Sequence, residues 1–180
     1  MLEAKTVEYF EELTKCWTEF SRENLDAIFL ILKSAKLKGT PVYILGNGGS
    51  ASTASHMAVD LNKGAGLNAH SLTDNVGLIT AWANDSNFSR VFVEQLKRNL
   101  TDQDTVIALS VSGDSPNIER ALRYANLVGA YTIGFFGMGG GLCRGLVSRD
   151  ITVWSRNYGV VEDFHLSLNH LLAQSLTEGL

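Results

Sequence analysis

Apolar and polar positions along the chain follow two periods. From residue 3 to about 37 the apolar side chains recur at helical spacing: Val7, Phe10, Leu13, Trp17 and Phe20, then Leu25, Ile28 and Leu32. This predicts an N-terminal helical segment with one buried stripe. "KGTP" (38–41) stops it and "VYIL" (42–45) begins a strand. Short greasy runs then alternate with helical patterns. Ser50 to Leu61 reads as helical, "GLNAHSL" (66–72) as a short strand, and "NVGLITAWAND" (75–85) and "SNFSRVFVEQLKRNL" (86–100) as two helices. "DTVIALSV" (104–111), "AYTIGFFG" (130–137) and "DITVWS" (150–155) read as strands. Between them "SPNIERALRYANLVG" (115–129) opens with Pro and closes on Gly, the usual asymmetry of a helix. Val160 to Leu176 forms the last helix.

Strands alternating with helices at this spacing imply βαβ units, a mostly parallel sheet and helices on both faces. Composition narrows this only slightly. The 180 residues suit one domain with a sizeable core, and 45% hydrophobic content fits a globular chain. Net charge is -4 and no run of Lys or Arg forms a basic stripe, so nucleic acid is not an expected partner. Cys16 and Cys143 lie far apart, outside any metal-like spacing, and no signal peptide is visible; both observations lead us to expect a cytoplasmic protein. Tyr124 to Cys143 carries no charge over 20 residues, but its six glycines argue for a helix end, a buried strand and a loop rather than a membrane span.

Two loops follow predicted strands, at the sheet edge where ligands of such folds bind. The first, "GNGGS" (46–50), places three glycines within four residues, allowing positive φ and close backbone approach. It fits neither G-x-G-x-x-G nor a P-loop, so a nucleotide cofactor is not expected and a smaller phosphate ester is favoured. The second, "SVSGDSPN" (110–117), offers the hydroxyls of Ser110, Ser112 and Ser115 around Gly113. Ser115 is placed as N-cap, with Pro116 at the first helical position. Unpaired N–H groups at a helix start, together with these hydroxyls, make a nest for a phosphate without Lys or Arg. A Ser-rich strand–turn–helix with no ligand has the same spacing.

Acid–base candidates sit on two helices. His56 and Asp60 are four apart and share a face. Glu162 and His170, eight apart, share a side of the last helix, which also carries Asp163 and His165. Two His and two carboxylates form a reasonable Zn²⁺ set, although a His beside a carboxylate is often a surface pair. His165 reads as structural, at a subunit contact, and His70 as ordinary. Asn84-Asp85 by itself fits a helix end. Trp17, Trp82 and Trp154 read as packing residues, and nothing near Cys143 suggests an activated thiol.

The segments "GNGGSASTASHMAVDL", "TAWANDSNF", "ALSVSGDSPN" and "VEDFHLSLNHLL", in this order and separation, resemble the sugar isomerase (SIS) domain family, on its sedoheptulose-7-phosphate isomerase branch. The resemblance implies a three-layer α/β sandwich: an open five-stranded parallel sheet flanked by helices. It implies one domain over 1–180, with residues 1–37 used in oligomerisation, and a homotetramer whose active sites lie between subunits. Ser110, Ser112 and Ser115 would hold a phosphosugar's phosphate. Asn47, Gly48, Gly49, Asn84 and Asp85 would contact the sugar. His56, Asp60, Glu162 and His170 fall on a site that binds zinc in some members, one ion per subunit, with Asp60 as base and His170 as its partner in proton transfer through an enediol.

Three departures accompany this match. Asp60 stands where the family has Glu, one methylene longer. Glu162 stands where it has Gln, adding a charge. Gly159 stands where it tends to have an acid. The implied reaction converts sedoheptulose 7-phosphate to D-glycero-D-manno-heptose 7-phosphate. The alternatives are isomerisation of another phosphosugar, or a non-catalytic module that binds a replication initiator. Retention of His56, His170 and two carboxylates favours the enzyme.

Overall fold

The computed structural model describes residues 2–179. Five strands form one parallel sheet: β1 (Pro41–Leu45), β2 (Asn68–Ser71), β3 (Thr105–Ser110), β4 (Tyr131–Phe136) and β5 (Arg149–Thr152), in the order β2-β1-β3-β4-β5. Side chains alternate between the two faces. Ile44, Ile107, Leu109, Ile133, Phe135 and Ile151 enter one core, together with residues of α1 (Leu2–Glu19), α2 (Arg22–Lys38), α3 (Gly49–Val59) and α8 (Tyr158–Glu178). Leu45, Val106, Ala108 and Phe136 enter the other, against α4 (Val76–Asp85), α5 (Val93–Asn99), α6 (Pro116–Val128) and the short α7 (Gly141–Arg144). The result is the expected three-layer sandwich.

Helix boundaries follow local chemistry. The predicted N-terminal helical segment is two helices, because Ser21 takes extended backbone and its hydroxyl accepts from Asn24 N–H, starting α2 afresh. Gly39, at φ 68°, ends α2 with its N–H shared between two carbonyls. The predicted helix over 86–100 is a 3₁₀ turn (Phe88–Arg90) followed by α5, since Asn87 is extended and the turn packs Val91 and Phe92 into the core first. The predicted strand 150–155 stops at Thr152, although Val153 and Ser155 still accept from the backbone of Gly139 and Met138. The helix read from Ser50 to Leu61 changes character at Asp60, where one π turn (Asp60–Gly64) follows α3. Among the described residues no helix is long and apolar enough to cross a membrane.

Candidate active site

Both glycine- and serine-rich loops leave the carboxyl ends of neighbouring strands, β1 and β3, and each opens a helix. A small cavity of about 100 Å³ lies between them, lined by Asn47, Ser50, Ser110, Ser112, Ser115 and Glu162 among others. It sits at the N-termini of α3 and α6, where unpaired N–H groups and two helix dipoles favour an anion. Ser115 is the N-cap of α6, but its hydroxyl makes no capping bond. Gly113, at φ 70°, lets the serine loop turn; a Cβ there would lie 2.0 Å from the Gly140 carbonyl oxygen. The short helix α7 braces that turn, with Cys143 N–H donating to the Gly113 carbonyl at 2.9 Å and Leu142 N–H to Asp114 Oδ1 at 2.8 Å.

Asn117 was not singled out in the sequence, yet it ties the two loops together. Its Nδ2 donates to Asn47 Oδ1 at 2.8 Å, and Asn47 Nδ2 donates back to Asn117 Oδ1 at 2.9 Å. Asn47 is thereby committed to loop bracing within the chain. Ser50 was missed too. It is buried at the cavity wall, and its place in the first turn after Gly49 was the available signal. Gly48 has φ 56° and open space where a side chain would be, whereas a Cβ on Gly49 would lie 2.3 Å from either Glu162 carboxylate oxygen. The first glycine frees the backbone; the second makes room for a neighbour.

At the C-terminal end of α3, against the middle of α8, lie the proton-transfer candidates. The ligand atoms of His56, Asp60 and His170 all lie within 4.8 Å of one another. Asp60 Oδ2 is 3.4 Å from His56 Nε2 and 3.7 Å from His170 Nε2, and the two Nε2 atoms are 3.4 Å apart. Asn169 Nδ2 donates to the same Oδ2 at 2.8 Å. The histidine side chains are about half exposed, at 47% and 45%, so the cluster faces solvent. Two imidazole nitrogens and a carboxylate oxygen at this spacing suit a divalent cation, with a coordination position left over.

Two of the expected contacts are not made within a single chain. Glu162 does not join the His56–Asp60–His170 group among the described residues. Eight residues of helix place it on the same side as His170 but about 12 Å away along the axis, so its carboxylate lies over Gly49 instead. Asn84 and Asp85 do not reach the serine cavity within the chain. They end α4, on the opposite face of the sheet from α3 and α8, where Asp85 lines a separate cavity with Tyr43, Trp82 and Arg98.

Other neighbours are settled by burial. His165 is 1% exposed between Phe135 and Phe164, inside the chain rather than at a subunit contact. Desolvation pushes its pKa down to about 4, with the Phe136 backbone opposing. Gly159 leaves room for Tyr9, whose hydroxyl donates to Asp163 Oδ2 at 2.6 Å and pins α1 to α8. Burial, then this hydrogen bond, push the Tyr9 pKa up to about 12. Cys143 is buried, and desolvation pushes its thiol up to about 11, in line with an unreactive cysteine.

Comparison with known proteins agrees with this geometry. The SIS domain family model matches residues 8–137. A phosphoheptose isomerase of Geobacter metallireducens is 34% identical over 160 residues, covering 86% of this chain and 85% of its own. A probable phosphoheptose isomerase of Thermoplasma acidophilum is 30% identical over 175 residues, covering 94% and 96%. In structure, the phosphoheptose isomerase of Neisseria gonorrhoeae superposes with a TM-score of 0.90 at 23% identity, covering 99% of this chain and 100% of that one. The serine nest, the acid–base cluster and these matches together place the chain in the SIS domain family, as an isomerase of the phosphoheptose isomerase type.

Proposed function

We propose that the protein interconverts sedoheptulose 7-phosphate and D-glycero-D-manno-heptose 7-phosphate in the cytoplasm. The observation that carries this reading is the separation of two unlike sites on one pair of helices. α3 and α8 both run from the phosphate nest to the His56–Asp60–His170 cluster. Along the axis of α8, Glu162 beside the nest and His170 in the cluster are about 12 Å apart. A sugar phosphorylated at one end and reacting at the other must be long to bridge them, which favours seven carbons over a shorter phosphosugar.

In the proposed reaction the Ser110, Ser112 and Ser115 hydroxyls and the N–H groups opening α6 bind the phosphate. Asp60 takes the proton from C1 of the open-chain ketose. Protonated His170 gives a proton to O2, forming the enediol; it then takes the proton of O1 as Asp60 returns its proton to C2, giving the aldose. His56, Asp60 and His170 would hold a zinc ion. Zinc would supply Lewis-acid polarisation of the carbonyl and stabilise negative charge on the enediol oxygens. Glu162, beside the nest, can accept hydrogen bonds from sugar hydroxyls but adds negative charge near the phosphate.

The active protein is proposed to be a homotetramer. The exposed apolar Val7 and Phe10 of α1 support packing against a neighbouring subunit. A neighbour would also let Asn84 and Asp85 reach a sugar bound in another subunit.

The deciding experiment is ¹H NMR of the purified protein with sedoheptulose 7-phosphate in D₂O, with added zinc and with chelator. Aldoheptose phosphate signals and deuterium at C1 and C2 are expected. Neither product nor exchange would refute the isomerase reading. Exchange into a shorter ketose phosphate alone would refute the length argument.

A further inference from the structure

We propose that Asn169 is a positioning residue that fixes the plane of the Asp60 carboxylate, so that one oxygen faces the two histidines and the other stays free; this rests on Asp60 being the base of the isomerase. Asn169 is fully buried on α8, immediately before His170. Its Nδ2 donates to Asp60 Oδ2 at 2.8 Å, and that same oxygen faces both His56 Nε2 and His170 Nε2. The amide orientation is settled by charge: a flipped amide would set its oxygen against a carboxylate oxygen.

The other end of the amide shows that this contact is not simply a device for stability. Asn169 Oδ1 is buried without a hydrogen-bond partner among the described residues. A buried, unpaired acceptor is destabilising, and a leucine of similar shape would carry no such penalty.

Asp60 needs an orienting partner for two reasons. First, it is the shorter of the two acidic side chains, so its carboxylate must be placed largely by the backbone. That placement comes from the π turn, closed by Ala65 N–H donating to the Asp60 carbonyl at 3.2 Å. Asn62 anchors the turn to β2, with Nδ2 donating to the Ala69 carbonyl and Oδ1 accepting from Ala69 N–H. Single π turns are frequent at functional sites. Second, rotation of a carboxylate about its last torsion is soft and nearly two-fold, and the backbone does not fix the angle of its plane. Asn169 does so by holding one oxygen. Oδ2 is held toward the histidines and any cation they share, which leaves Oδ1 for the substrate proton.

The test compares wild type with Asn169→Leu. The variant is expected to melt no lower than wild type and to keep KM within about twofold. Its kcat should fall by roughly tenfold or more, and Co²⁺ affinity, measured by titrating metal-free protein and following the visible spectrum, should weaken about 10- to 100-fold. Unchanged kcat and Co²⁺ affinity would overturn the proposal. Should Asn169→Leu fail to fold, the Asn169 side-chain signals in the ¹⁵N–¹H spectrum of the otherwise native protein decide instead. They should shift in Asp60→Ala, and unmoved signals would overturn the pairing. Absence of turnover in the wild type would refute the isomerase reading, while the cobalt and NMR measurements would still judge the Asn169–Asp60 contact separately.

Discussion

The two ends of the α3–α8 pair are built on opposite principles. At the serine nest the groups proposed to face the ligand are backbone N–H donors and short hydroxyls on loops locked by Asn47–Asn117 and braced by α7. At the His56–Asp60–His170 end they are side chains, half open to solvent and steered by one buried amide. The difference matches the tasks. A phosphate keeps its charge and shape throughout a reaction, so a rigid, pre-aligned cradle serves it. A proton-transfer group must change its bonding during the reaction, and its orientation has to be set without blocking its lone pairs.

Substitutions can break this division, and they rank by effect. The largest is Asp60→Asn, which keeps the shape and removes the base. Turnover should fall about a thousandfold, while sedoheptulose 7-phosphate still binds in calorimetry. Retained turnover would show that Asp60 is not the base. Next is the pair Ser112→Ala with Ser115→Ala, which strips two hydroxyls from the charged ligand. Its main expected effect is on KM, raised roughly a hundredfold, with kcat changed much less. An unchanged KM would place the phosphate elsewhere.

The third substitution concerns the scaffold of the nest. Gly113→Ala puts a side chain at φ 70° and drives its Cβ to 2.0 Å from the Gly140 oxygen. A loss of about 3 kcal/mol is expected, or roughly 6–12 °C in Tm, along with weaker substrate binding. A calorimetric melt checks it; an unaltered Tm would mean that the loop tolerates the side chain by moving.

The substitution with the smallest effect at neutral pH involves neither end directly. His165 is held neutral in the fold, with its pKa near 4 instead of its ordinary value near 6.5. The unfolded chain takes up this proton first. Wild-type stability should therefore fall as pH drops from about 6.5 to about 4, and this group should add no further slope below that. His165→Leu should remove that part of the slope, so the two proteins would diverge most in chemical denaturation near pH 4. Parallel pH profiles would show that His165 is protonated in the folded chain.

The sequence was most legible where a local rule operates. Ser115-Pro116 and Gly129 bound α6 as capping chemistry demands, and the continuous apolar run over 106–109 is what a strand buried on both faces requires. His56 and Asp60 were readable as a pair because four residues of helix make neighbours. Glu162 and His170 were readable as sharing a side but not as parting company, since helical phase says nothing about which end of a cavity each residue meets. The single predicted helix over 86–100 failed for a related reason: burial of Val91 and Phe92 decided where the 3₁₀ turn ended.

By itself, then, the order of residues determined the α/β alternation, the two ligand loops, the His56–Asp60 pair and the family. Each depends on spacings of a few residues along one element. Only the tertiary structure brought His170, from α8, onto Asp60, set Glu162 against Gly49, sent Asn84 and Asp85 to the opposite face, and joined Asn169 to the carboxylate. Asn169 is 109 residues from Asp60. No periodicity links positions so far apart, and only the packing of α8 beside α3 makes them partners.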